Sequence, residues 1–255
     1  MYVNYNNIII KIIYICRRIT RDINMNRLLS ILILFSASLA ISAQTFSKEL
    51  EAKADKGDVA AICDLAWCYY DGNGVKKDCR HAVTLFEKAA RLGNVEAMIY
   101  AAECYEDGGD IPQDYKKAFY WYEKAAQKNY EPAYFTVGVW YYYGQGVDYD
   151  PLKAYFWFKK GADAGSAGSM YYLAILYDNG EGVEQDCHKS YQWFLKAAQK
   201  GDVASYHYLG TYYEFGIGVD KNISVAKQLY AAYRQAEAGN KERAVEMLRN
   251  AIRGI

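Results

Sequence analysis

The sequence predicts an all-α protein, a solenoid of five helix–turn–helix units with a capping helix at each end. Three observations predict it. A unit recurs with starts at Gly57, Gly93, Asn129, Gly165 and Gly201, a constant step of 36 residues, and a fixed period of this size marks a stacked repeat array. Within the unit three columns barely vary: Tyr69, Tyr105, Tyr141, Tyr177 and Tyr213; then Gly72, Gly108, Gly144, Gly180 and Gly216; then Asp78, Asp114, Asp150, Asp186 and Asn222. The segments flanking these columns have helical spacing, and Pro112, Pro132 and Pro151 all fall in loops or first helical turns, where proline is tolerated.

Each column has a local physical reason. The glycines follow an apolar segment, where a chain leaving a helix turns left-handed and only Gly does so without penalty. The Asp/Asn column sits where a second helix starts, with a side-chain oxygen to accept from its free N–H groups. Each unit therefore reads as helix A, a short loop and helix B, with helices of roughly 13–15 residues. Helix B carries Leu85, Trp121, Trp157, Trp193 and Leu229 in one column, and small pairs such as Ala125–Ala126 and Ala197–Ala198 in its last turn. Large residues against small ones let helices approach, and one hairpin cannot bury its apolar face alone. The Gly-x-Gly turns, such as Gly144 to Gly146, lack a preceding strand and a third glycine, so they read as linkers rather than a dinucleotide fingerprint.

The two ends differ from the repeats. Residues 1–24 read as an upstream extension of doubtful standing, because Met25 precedes Asn26–Arg27 and a run of sixteen uncharged residues from Leu28 to Ala43. Residues 25–43 have the layout of a secretory signal and are short for a membrane span, which makes the mature protein periplasmic or secreted. A retained N-terminal anchor is the alternative, and the only membrane contact expected. Residues 44–56 are expected to form an N-terminal capping helix, 57–236 the five units and 237–255 a C-terminal capping helix, since an array needs its end faces covered. Without residues 1–43 the chain keeps 25 basic against 29 acidic residues. That balance argues against a nucleic-acid partner, which would select a basic face.

Several motifs resemble a known family. Gly201–Asp202, Leu209-Gly210-x-x-Tyr213, Gly180-x-Gly182-Val183, Asp114-x-x-Lys117-Ala118 and Trp121-x-x-Lys124-Ala125-Ala126 look like Sel1-like repeats, relatives of the tetratricopeptide repeat. The resemblance covers residues 57–236 in five in-phase copies. It implies a right-handed α/α superhelix acting as an adaptor or scaffold, with one face of the A helices lining a concave groove. In the first two units that face would hold Trp67, Tyr70, Glu103 and Glu106. The third would add Phe135, Tyr142 and Tyr143, the fourth Tyr171 and Asp178, and the fifth His207, Glu214 and Phe215. Aromatic anchors beside carboxylates suit a peptide or protein segment carrying Lys/Arg next to apolar side chains.

Candidate chemistry is sparse. Cys68, late in helix A, and Cys79, at the start of helix B, are a candidate disulfide clipping the first hairpin; the alternative is two small buried apolar residues. A cysteine-rich, disulfide-stapled Sel1-like subgroup linked to penicillin binding resembles this chain loosely, since Tyr115, Pro151 and Ile223 stand in the Cys79 column. That link makes a cell-envelope enzyme acting on β-lactams the alternative function. Ser224-x-x-Lys227 has the spacing of a β-lactam-hydrolase motif, but no Ser-Asp-Asn or Lys-Thr-Gly accompanies it. Cys79 with His81 and Cys187 with His188 suggest metal ligation, but the two pairs lie three units apart and the closely spaced Cys/His sets of structural zinc are absent, so these and His207 read as solvated histidines. No catalytic residue, metal or cofactor is expected.

Overall fold

The structure, a computed structural model, describes residues 46–253. The expected upstream extension and signal segment lie outside the described residues. Helix α1 (Lys48–Asp55) precedes five hairpins: α2 (Val59–Asp71) with α3 (Cys79–Arg91), α4 (Val95–Asp107) with α5 (Tyr115–Gln127), and α6 (Glu131–Tyr143) with α7 (Pro151–Asp163). Then come α8 (Ala167–Asn179) with α9 (Cys187–Gln199), α10 (Val203–Phe215) with α11 (Ile223–Glu237), and finally α12 (Lys241–Ile252). No strand occurs among the described residues, and none of these helices is long and apolar enough to cross a membrane.

Capping follows the chemistry of the repeated Asp/Asn column. Asp78, Asp114, Asp150, Asp186 and Asn222 each accept, through Oδ1, the backbone N–H three residues on, at 2.9–3.1 Å. Gly72, Gly144, Gly180 and Gly216 end the A helices in the left-handed conformation. The second unit departs: Gly108 has φ 71° and ψ −118°, and its loop runs through Gly109 and Asp110.

Each helix packs on its neighbours in sequence, B of one unit against A of the next. The core is a column of helix-B rings, Phe86, Phe158 and Phe194, none of which is solvent-accessible. These rings lie over small residues of helix A, and a Cβ added to Gly138 would come within 2.6 Å of Phe158. Where neighbouring units place Ala125 and Ala133, the third and fourth units place Gly161 and Ser169. A Cβ on Gly161 would meet the Ser169 hydroxyl at 2.2 Å, so the glycine makes room for the serine.

The tyrosine column is only partly interior. Tyr141 and Tyr213 are buried, but Tyr69, Tyr105 and Tyr177 are only half-buried. The hydroxyls of Tyr105 and Tyr141 donate to Glu87 at 3.0 Å and Glu123 at 2.7 Å, each on helix B of the preceding unit. Tyr177 and Tyr213 make the same reach to the hydroxyls of Tyr155 and Tyr191. The column therefore laces unit to unit. It also explains the Asp-x-x-Lys spacing: Lys117, Lys153 and Lys189 lie 4.7, 5.1 and 5.4 Å over the rings of Tyr105, Tyr141 and Tyr177, while pairing with the capping carboxylates.

The C-terminal helix begins at Lys241, after an α11 that runs on to Glu237. It packs on α11 and reaches α9, both helix-B elements.

Candidate interaction surface

The hairpins sort charge by layer. The five A helices carry Asp64, Asp71, Glu96, Glu103, Glu106, Asp107, Glu131, Asp178 and Glu214, but not one Lys or Arg. The B helices hold thirteen Lys and Arg. A negatively charged layer with no internal counter-charge favours a cationic ligand.

The aromatic residues expected on this layer come together. Trp67 meets Tyr70 and Tyr100 edge-on, with ring centroids 5.4 and 4.7 Å apart. Phe135 lies 5.9 Å and Tyr142 5.5 Å from Tyr172, and the Tyr143 and Tyr172 hydroxyls are 3.2 Å apart. Tyr171 contacts Tyr208, and His207 lies 5.5 Å from both Tyr230 and Tyr233. Tyr143 is 64% exposed and Phe215 65%, the two most open rings of the row. Sequence reasoning missed Tyr100, Tyr172 and Tyr208, which bridge one unit to the ring cluster of the unit before it. Their signal was a column aromatic in three of five copies.

The carboxylates are held, but not neutralised. Tyr122 donates to Glu106 at 2.7 Å, Tyr230 to Glu214 at 2.6 Å, and Tyr212 to Asp178. A phenol orients a carboxylate and leaves its charge in place. Among the described residues no Lys or Arg forms an ion pair with these three acids or with Glu103. Burial raises the Glu103 carboxyl above its ordinary range, and Asp107 and Glu106 push it further. Because its folded pKa is raised, ionised Glu103 costs stability, and that cost grows as pH rises from the unfolded value through the folded one. Glu103→Gln should therefore raise Tm at pH 7 relative to wild type, with the difference vanishing below about pH 4. Thermal melts across that range would check it.

The other candidates do not converge on a reaction centre. The Cys68–Cys79 clip is not formed in the structure. Cys68 is buried, while the Cys79 thiol points across the joint to Asp110 Oδ2 at 3.1 Å, an oxygen also 3.1 Å from Lys77 Nζ. A cavity of about 230 Å³ lies there, lined by Tyr70, Cys79, Cys104 and Asp110 among others. Burial pushes the Cys104 thiol up to about 12, which keeps it protonated and unreactive at neutral pH. Ser224 and Lys227 are both exposed at the start of α11. His81 packs edge-on against Tyr69, and His188 Nδ1 lies 3.2 Å from the Gly218 carbonyl. No group of three potential metal ligands occurs among the described residues.

Helical hairpins repeating every 36 residues and packed in sequence, with acids and rings along their A helices, define a repeat scaffold. The chain belongs to the Sel1 repeat family, whose model matches residues 59–94, 95–130, 132–166, 167–202 and 203–232. Such proteins are generally non-enzymatic scaffolds for protein–protein interaction. Among solved structures the chain is similar to c5321, a protective antigen present in uropathogenic Escherichia coli strains and displaying an SLR fold. The identity there is 28% and the TM-score 0.64, over 80% of this chain and 43% of that one. This chain thus spans less than half the length of that relative. It is also similar in fold to a Sel1 repeat protein from Oxalobacter formigenes, with 24% identity and a TM-score of 0.62 over 78% and 89% of the two chains. No curated protein matches the sequence.

Proposed function

We propose that the protein is an exported scaffold that holds a Lys/Arg-bearing, partly apolar segment of another protein against its helix-A layer, and performs no catalysis. One observation carries this reading: five successive A helices present carboxylates and half-open rings without a single internal cation. A guest supplying Lys or Arg would meet charge that only phenols now touch, and its apolar side chains would meet Trp67, Tyr142 and Phe215. Export rests on the signal-like run from Leu28 to Ala43, and N-terminal sequencing of protein recovered from the cell envelope should begin at Gln44.

The binding test uses labelled peptides that alternate Lys with Phe or Leu. The full chain should bind them, and the same peptides with Glu for Lys should not bind. Trp67→Ala combined with Tyr70→Ala and Tyr142→Ala should weaken capture by about tenfold or more, as expected for aromatic anchors, while circular dichroism stays helical. Equal affinity for the Glu peptides, or undiminished capture by the folded triple variant, refutes the reading.

A further inference from the structure

The B helices carry a second surface of opposite character. Positions four apart on a helix share a face, and the 36-residue period lays these rows side by side. The rows are Arg80–Thr84–Lys88, Lys116–Tyr120–Lys124, Leu152–Phe156–Lys160 and His188–Gln192–Lys196 on α3, α5, α7 and α9. None of the four contains Asp or Glu. At their centre Tyr120 is 50%, Leu152 64% and Phe156 52% exposed. Cations flank these same side chains: Lys124 Nζ lies 5.5 Å over the Tyr120 ring and Lys160 Nζ 5.3 Å over Phe156. Lys88 is also tied to the Ala54 carbonyl at 3.4 Å. The acids of these helices are engaged elsewhere, Glu87 and Glu123 by the Tyr105 and Tyr141 hydroxyls and Asp163 by Lys159.

We propose that this helix-B edge docks on an anionic phospholipid surface. Clusters of four to eight Lys/Arg are what an anionic leaflet attracts, and Phe, Tyr and Leu side chains set among them suit the boundary between headgroups and acyl chains. The apolar side chains are among the most open of the molecule and stand between cations. A fluid bilayer meets such a crest without a preformed pocket, whereas a folded acidic protein needs a matching depression. Charge sorting also orients the array: the carboxylate-bearing A helices, which have no cation, are repelled by the same surface and stay open to a guest. The docking face shares no residue with the peptide-binding layer, so each can fail alone.

The test is co-sedimentation of the full chain with vesicles of phosphatidylglycerol and phosphatidylcholine, at low and high salt, beside vesicles of phosphatidylcholine only. The chain should sediment with the anionic vesicles, and high salt should release it. Lys124→Glu with Lys160→Glu should lower the partition by about tenfold or more, each lysine near the surface adding to attraction. Leu152→Ser with Phe156→Ser should lower it comparably. Lys221→Glu, in the exposed loop before α11 and outside the four rows, and the Trp67/Tyr70/Tyr142 triple variant should bind as wild type. Equal binding to neutral vesicles, or equal loss on Lys221→Glu, overturns the proposal. So does salt-sensitive self-association without vesicle binding, abolished by Lys124→Glu and Lys160→Glu, which would assign the edge to a second copy of the chain.

Discussion

Gly146→Ala should cost about 3 kcal/mol or more, read as a fall in Tm of about 6–12 °C, because it combines strain with a backbone clash. Gly146 has φ +69°, and a Cβ there would sit 2.2 Å from the Tyr115 carbonyl oxygen and 2.6 Å from its carbon. Both atoms are backbone at the start of α5, so no rotamer change relieves the contact. The arrangement recurs, with Gly182 against Pro151 and Gly218 against Cys187. The hairpin loops of the third, fourth and fifth units therefore rest on the first residue of the preceding helix B. Gly165→Ala is the matched control: φ is +92° but nothing lies within 4 Å of its Cβ. It should cost only the strain, about 1 kcal/mol. Equal losses from the two substitutions would mean that loop stacking contributes nothing.

This is where sequence reasoning reached its limit. A glycine at a fixed place after a helix announces a left-handed turn, because that property belongs to the residue itself. The second glycine of Gly-x-Gly reads as a linker until the residue 31 positions earlier is seen to touch it. The capping Asp column was legible for the same reason as the first glycine: donor and acceptor are three residues apart. The Tyr69 column was legible as a column but not as a joint, since its partners, Glu87, Glu123, Tyr155 and Tyr191, belong to other units. Glu106, Asp178 and Glu214 are readable as helix-A residues, yet their phenol partners, 16 or 34 residues distant, lie beyond any local pattern. The second unit shows the same limit in reverse. Asp110 stands in the column of Gly146, Gly182 and Gly218, and its side chain reaches Cys79 where the loops of the last three units lie backbone to backbone.

Phe158→Ala should cost about 3–5 kcal/mol, the range for deleting a fully buried ring. The ring is inaccessible to solvent, stacks on Tyr172 at 4.8 Å with 12° between planes, and backs Phe135 at 6.3 Å. Its loss should loosen the third and fourth units, and capture of Lys/Phe peptides should weaken at temperatures where helicity is still intact. Gly138 sharpens the test. In the first, second and fourth units that column is Ala66, Ala102 and Ala174, and the column of Phe158 holds Phe86, Tyr122 and Phe194. Gly138→Ala alone gains about 1 kcal/mol of helix propensity but brings a methyl within 2.6 Å of the Phe158 ring, so it should destabilise. Combined with Phe158→Ala the clash disappears and the methyl fills part of the cavity. The double variant should then be more stable than Phe158→Ala, with a coupling of about 1–2 kcal/mol in denaturant titrations. If Gly138→Ala instead stabilises the wild-type chain, the Phe158 ring is free to withdraw from the added methyl, and the close approach of ring and glycine contributes nothing to stability.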